Sequence, residues 1–325
     1  MSMMARVRVH APATLSNLGP GFDVLGLAIE QPGDYVEAEW SDTPGVEIVE
    51  VRGDSGRLTT DPTRNVVGIA ATAALLAFDA RKTDRRPPGV RLWLDKRMPL
   101  ASGLGSSAAS SVGGVLAVSE LLGGVFDRDE LIACALEGER VVSGGVHADN
   151  VAPCVAGGIV LIRSYTPMEL LSLPVPDALR VAVVHPHVSV VTAEARRLVT
   201  EHRFAIAQVV ANLGQLGALV TALHRGDLEL FGRAISDDLV EPIRASLVPG
   251  FAEVKQTALE AGALGCSLSG SGPSVFAFAS SDDQAAGLAV CMAARFREVA
   301  GLQSDTYVGR VNTRGARRVE ADEDE

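Results

Sequence analysis

Between Pro99 and Ser110 the chain reads Pro-Leu-Ala-Ser-Gly-Leu-Gly-Ser-Ser-Ala-Ala-Ser. Gly103 and Gly105 stand one residue apart, and Ser102, Ser106, Ser107, Ser110 and Ser111 supply hydroxyls. These residue types build an anion site. Glycine lets main-chain N–H groups approach a phosphate and tolerates positive φ. The first N–H groups of a helix lack internal partners and point out at the positive end of its dipole. Dipole attraction contributes only ~0.3–1 kcal/mol, or ~2 when partly buried. Holding a nucleotide therefore takes several N–H bonds, hydroxyls and a metal ion together. Two other readings fit the same residues. One is an ordinary turn before a helix. The other is a dinucleotide loop, because Gly103 to Ala108 fits G-x-G-x-x-A. That motif wants an acid about 20 residues on, at the end of a second strand. Here the distance ends near Glu120 or Gly123, inside or just past the following helix. The lysine-bearing P-loop G-x-x-x-x-G-K-[ST] is absent.

Such a loop must be held between a strand and a helix. Val90 to Asp95 alternates apolar and polar residues and predicts the strand. Ala108, Val112, Val115, Leu116 and Leu122 share one face at helical spacing and predict a buried helix. Further strands are expected at Val7 to Ala11, Val36 to Trp40 and Val46 to Val51, around an apolar run from Val24 to Ile29. Asn65 to Phe78 is alanine-rich and helical. Asp127 with Glu130 forms a capping box opening a helix whose apolar face carries Leu131, Ala135, Gly138 and Val142. Beyond it the pattern predicts strands at Gly158 to Ile162 and Val181 to His185, then helices from Thr192, Phe204 to Arg225 and Asp227 to Ile235. A strand–turn–strand over Cys266 to Phe278, a helix over Asp283 to Ala300 and a strand near Tyr307 to Val311 complete the chain. Ser172-Leu-Pro-Val-Pro-Asp177 marks the expected boundary between a domain of residues 1–172 and one of 173–325. The class is α+β.

Other residues carry candidate chemistry. Asn17 and Asp23, in the turn-rich stretch Ala11 to Asp23, either cap turns or face a ligand. Glu139 lies four residues past Ala135 on an apolar helix face. It either reaches water at the edge, pairs with Arg140, or points into a core or cleft, where a carboxylate needs a cation. His147-Ala-Asp-Asn150 reads as a polar loop. Arg196 and Arg244 occupy helical positions where arginines are usually solvated. His185 and His187 look like a metal pair, but no third ligand or zinc motif accompanies them.

The 325 residues are long enough for two domains. The net charge of −11 argues against nucleic acid or an anionic membrane as main partner. Cys134, Cys154, Cys266 and Cys291 are far apart, without C-x-x-C, and are read as reduced cytosolic thiols. Met1 to Arg8 has no signal-peptide core, and no run of about 20 apolar residues is read as a membrane span. The expected location is the cytoplasm. Glu320 to Glu325 is an acidic, solvated end.

Pro99 to Ala108 match P-x-x-x-G-L-G-S-S-A at every fixed position, and by this loop the chain resembles the GHMP kinases, small-molecule kinases for galactose, homoserine, mevalonate and phosphomevalonate. Within that family, Pro12 to Asp23 are similar to the P-A-T-[SL]-x-N-x-G-x-G-F-D loop of the homoserine kinases. Thr192 to Arg196 and Glu241 to Arg244 match their T-x-x-x-R and E-P-x-R, and Asn312 to Ala316 resembles their C-terminal end. The S-G-S-G-P motif is present around Gly270, Ser271 and Gly272, whereas the galactokinase G-E-H-T-D-like signature is absent.

The resemblance implies a two-domain fold: an N-terminal mixed sheet with a left-handed βαβ crossover, then a C-terminal ferredoxin-like α+β domain. It implies ATP bound on Pro99, Leu100, Ala101, Ser102, Gly103, Leu104, Gly105, Ser106, Ser107, Ala108 and Ala109, with Gly270, Ser271 and Gly272 against them. Asn65 and Lys96 would line the nucleotide pocket, and Ser107 and Glu139 would hold Mg²⁺. Asn17, Asp23, His147, Asn150, Thr192, Arg196 and Arg244 would surround the acceptor. Of these, Arg196 and Arg244 would grip a carboxylate, Asn17 and Asp23 would meet an ammonium, and Asn150 would aim a hydroxyl. Asp23 and Asn150 are the catalytic candidates, with Asp23 as counter-charge or general base. The implied activity is ATP-dependent phosphorylation of L-homoserine, a step toward threonine, by a homodimer. A mevalonate-type kinase and a non-catalytic binding protein of the same fold are the alternatives.

Overall fold

A computed structural model describes residues 6–81, 89–143 and 148–320. The first part holds β1 (Val7–Ser16), β2 (Leu25–Ser41), β3 (Val46–Arg52), α1 (Val66–Asp79), β4 (Gly89–Asp95), α2 (Ser106–Leu121), α3 (Arg128–Ser143), α4 (Ala148–Ala156), β5 (Ile159–Tyr165) and β6 (Met168–Leu173). The second holds β7 (Arg180–Pro186), α5 (Thr192–Thr200), α6 (Ile206–Arg225), α7 (Leu228–Ala234), α8 (Glu241–Arg244), α9 (Phe251–Glu260), β8 (Gly265–Leu268), β9 (Val275–Ala279), α10 (Asp282–Ala300), β10 (Ser304–Arg310) and β11 (Arg317–Val319).

The first sheet runs β11-β1-β2-β4-β3, with β5 on β2 and β6 on β5. β2 serves two neighbourhoods. Its Leu25 to Leu27 pair with β5, and its Tyr35 to Ser41 pair with β4. β3 and β4 are parallel, joined through α1, so the sheet is mixed. The second sheet, β10-β7-β9-β8, is antiparallel throughout. That is the strand order of a split βαβ, ferredoxin-like unit. One face of this sheet (Ala182, Val184, Val275, Ala277) packs on α9 and α10, while Val181, Val183, Phe276 and Phe278 join the core that spans the first sheet and α6–α7. β11 returns to pair with β1, so residues 317–319 belong to the first sheet although they lie beyond residue 173.

The capping box forms as read: Asp127 N–H donates to Glu130 and Glu130 N–H to Asp127, both at 2.9 Å. Three local expectations are corrected. α2 does not have a single apolar face; it is buried on nearly every side, because its Ala, Ser and Gly residues let α1, α3 and the sheet close on it. The stretch at 148–150 is not a loop but the start of α4. Pro153 inside that helix has no N–H for the Asp149 carbonyl, which packs against Gly26 instead. An apolar run of membrane-spanning length does exist: by length and composition α6 could cross a membrane. In the fold its Leu219, Ala222 and Leu223 are core residues and Asn212 donates to the Pro20 carbonyl at 2.9 Å, while Ile206, Val210 and Leu213 are exposed. The four cysteines are free thiols.

Candidate active site

β4 delivers the chain to the small-residue loop, and α2 leaves it. Gly105 is the N-cap of α2, at φ +68°. A Cβ there would sit 2.0 Å from Thr14 Oγ1, so no other residue fits without moving β1. Every carbonyl from Ser102 to Ser106 is taken by the protein. Their donors are Ser274 N–H, Ser269 Oγ, Thr14 N–H, Ala109 N–H and Lys96 Nζ, at 2.6–3.1 Å. The leading N–H groups of α2 have no partner within the helix. Acceptors are thus spent and donors left over, the polarity an anion requires. Ser106 Oγ is also buried with no hydrogen-bond partner.

Lys96 reaches this loop, but from behind. Its buried ammonium donates to Asp34, to the Ser106 carbonyl (2.8 Å) and to Ser110 Oγ (3.0 Å). All three N–H groups are used, so Lys96 anchors the first turn of α2. Asn65 caps α1 by accepting from Val67 N–H (3.2 Å) and donates to the Thr59 carbonyl (2.7 Å), fixing the segment that carries Leu58 and Thr59.

From α3, Glu139 enters the same space and accepts from Ser107 Oγ at 3.1 Å. Arg140 pairs with Glu137 instead. Glu139 is only 4% exposed, and burial pushes its carboxyl up to about 7.

The 11–23 loop and the second sheet build the other end. Asn17, Leu18 and Asp23 sit at positive φ, backbone strain of the kind that collects at functional sites. Asn17 Oδ1 accepts from Asp23 N–H (3.1 Å) and its Nδ2 donates to the Gly270 carbonyl (3.2 Å). Both oxygens of Asp23 accept from Arg196 (2.8 and 2.9 Å). Arg244, 4% exposed, donates to the Gly270 carbonyl at 2.8 Å and lies over Phe22. Among the described residues it has no carboxylate partner, and its Nε is buried without a hydrogen bond. Burial holds this guanidinium below its usual range. Thr192 meets Ser271 Oγ at 3.4 Å. Asn150 Oδ1 accepts from Thr14 Oγ1 at 2.8 Å. Next to it Asp149, 3% exposed, bonds Ser16 but leaves Oδ1 without a partner; burial first, then the nearby Asp23, push it up to about 7.

One cavity of about 530 Å³ joins the two ends. Family models for the GHMP kinases N terminal domain and the GHMP kinases C terminal match residues 67–158 and 219–298. A homoserine kinase of Chloroherpeton thalassium is 41% identical over 97% of this chain and 99% of its own. The chain belongs to the GHMP kinases. A homoserine kinase of Arabidopsis thaliana is 42% identical, covering 96% of this chain and 84% of its own. The crystal structure of homoserine kinase from Cytophaga hutchinsonii superposes with a TM-score of 0.92 at 45% identity, covering 98% and 99% of the two chains.

In this GHMP kinase the cavity wall contains Asn17, Asp23, Asn65, Lys96, Leu100, Ala101, Ser102, Gly103, Gly105, Ser106, Ser107, Glu139, Asn150, Thr192, Arg196, Arg244, Gly270 and Ser271. Pro99, Leu104, Ala108, Ala109 and Gly272 do not line it; Leu104, Ala108 and Ala109 are core residues, and Gly272 backs Gly103. His147 lies outside the described residues. Sequence reasoning passed over Asp149, Ser16, Arg64 and the apolar wall of Val190 and Val191. For Asp149 no local signal was available, because the stretch reads as a polar loop and the strands that bury it are remote in sequence.

Proposed function

We propose that the chain transfers the γ-phosphoryl group of ATP to the side-chain hydroxyl of L-homoserine, giving ADP and O-phospho-L-homoserine, an intermediate of threonine biosynthesis. One observation carries the reading. At the acceptor end a buried cation holds an orphan donor, Arg244 Nε, and a buried acid holds an orphan acceptor, Asp149 Oδ1. An unmatched buried polar atom costs ~1–3 kcal/mol, more for charged groups. An α-amino acid answers both, its carboxylate at Arg244 and its ammonium at Asp149. Mevalonate has no ammonium and would leave Asp149 unanswered.

The phosphates of ATP belong on Gly103 to Ser107, whose free N–H groups and hydroxyls match them. Ser107 and Glu139 fit Mg²⁺: the donors are oxygen only, as a small hard cation prefers, and a carboxylate so buried gains from a cation. When bound, Mg²⁺ neutralises charge on the β- and γ-phosphates.

The protein's own part is positioning, which dominates phosphoryl transfer. Asn150 spends Oδ1 on Thr14, which leaves its amide N–H groups to hold the hydroxyl oxygen. Asp23 gives both oxygens to Arg196, so it orients that guanidinium rather than taking a proton. The exposed Ile206, Val210 and Leu213 on α6 support a homodimer, which light scattering would register as twice the chain's mass.

The test is ADP release with Mg-ATP and, in turn, L-homoserine, L-threonine, L-serine, mevalonate and galactose. Turnover on L-homoserine alone is expected. Turnover on mevalonate without homoserine would overturn the acceptor. No turnover on any, with ATP still bound, would leave a binding protein.

A further inference from the structure

A second cavity, about 460 Å³, shares no lining residue with the first. It lies against β1, the bend of β2 near Gly33 and the loop that leads into β11. Its wall is polar and basic: Arg97, Arg314 and Arg317 face it, and Glu30 is the only carboxylate among its described lining residues. Glu30 is partly spent, since it accepts from Arg310 N–H at 3.3 Å. In a chain of net charge −11, three guanidiniums around one concavity are not explained by general composition.

Among the described residues, neither Arg314 nor Arg317 has a carboxylate within salt-bridge distance; Arg317 reaches only the His10 ring, at 3.4 Å. Arg97 bonds Asp95 at 3.0 Å and stacks 4.3 Å from the Tyr35 ring, which itself lies 5.0 Å from His10. The three positive charges converge on His10. Burial first, then Arg317, Arg97 and Arg314, push its imidazole down to about 4, so it stays neutral and adds an acceptor or donor rather than a fourth charge.

The mounting is rigid. Asn312 Oδ1 accepts from the N–H groups of Arg314 and Gly315, both at 2.9 Å. The Asn312 carbonyl accepts from Gly158 N–H and the Cys154 carbonyl from Ala316 N–H, each at 2.7 Å. Arg317 then enters β11 directly opposite His10. Guanidinium forks on a fixed backbone lose little freedom on meeting an anion. A tetrahedral dianion offers enough oxygens to answer all three, while a single carboxylate would leave one uncovered.

We propose that this cleft is a second anion site, built for a small phosphate-type dianion and separate from the seat of the ATP phosphates. The dianion is either free inorganic phosphate or the phosphoryl end of a phosphomonoester.

The experiment is calorimetric titration of the full chain, saturated with Mg²⁺, a non-hydrolysable ATP analogue and L-homoserine so that both ends of the first site are filled. Inorganic phosphate and O-phospho-L-serine are added separately. One-to-one binding is expected, weakened roughly tenfold or more in Arg314→Gln/Arg317→Gln, as the loss of charged hydrogen bonds implies. Affinity for the ATP analogue should stay unchanged. Arg314→Gln alone is the second variant, because that side chain is exposed. A site-specific readout accompanies it, since a bound dianion must raise the pKa of His10, followed by NMR. Equal affinity for the two probes identifies free phosphate as the ligand, and tighter phosphoserine identifies a phosphomonoester. Absence of binding by either, or binding undiminished in the double variant, overturns the proposal.

Discussion

Asp149→Asn should weaken function and strengthen the fold. The carboxyl is fully buried, with an ordinary value of 3.8 raised to about 7. The folded state therefore holds the proton more tightly than the unfolded chain. Its contribution to stability falls as pH rises from about 4 to about 7 and is level above that. At ~1.4 kcal/mol for each tenfold change in proton affinity, the full loss is about 4 kcal/mol. Asparagine has nearly the same shape and does not titrate. At pH 8 the variant should gain up to about 4 kcal/mol over the parent, and at pH 4, where Asp149 is protonated, most of the gain should vanish. Catalysis should move the other way. Losing a charge-assisted contact of ~1.5–3 kcal/mol raises the KM for L-homoserine roughly 10- to 150-fold, with the KM for ATP unchanged. In the parent that KM should rise as pH falls below about 7, because protonated Asp149 cannot answer an ammonium; in the variant the rise should disappear. Urea melts at the two pH values and a coupled ADP assay read both effects. A variant less stable than the parent at pH 8, or one with an unaltered homoserine KM, would refute the reasoning.

The other machinery gives separate signatures. Arg244→Met should raise the homoserine KM roughly 10- to 150-fold and leave that for ATP alone, measured in the same assay. Gly105→Ala forces a side chain into left-handed backbone, at ~1–2 kcal/mol, and drives its Cβ into Thr14 Oγ1. Thermal melts should record that loss, and kcat/KM for ATP should fall with it. Lys96→Met leaves Asp34 buried without its cation, so urea melts should show a loss of about 3–5 kcal/mol.

What could be read beforehand followed the range of the interactions. The loop at 99–110 was legible because its function lies in contiguous residues, and the capping box at Asp127 and Glu130 because both partners are local. Arg196 and Arg244 were legible only through resemblance; their spacing alone describes solvated helices. Asp149 was missed since nothing adjacent announces that β1, β2 and Tyr165 will enclose it. α4 was read as loop because its opening is polar and Pro153 interrupts it. α9 has a short, mixed pattern, and β11 is three residues whose pairing with β1 lies some 300 positions away. The basic cleft is of the same kind: His10, Arg97, Arg314 and Arg317 meet only after the last strand has returned to the first sheet.

The central claim is that the acceptor end reads both charges of a zwitterion. The most direct measurement compares kcat/KM for L-homoserine with that for its two halves: 4-hydroxybutanoate, which lacks the ammonium, and L-homoserinol, which lacks the carboxylate. The account predicts that each half loses roughly tenfold or more. It further predicts that Asp149→Asn erases the preference over 4-hydroxybutanoate while Arg244→Met erases that over L-homoserinol. Equal use of 4-hydroxybutanoate and L-homoserine by the parent enzyme would contradict it.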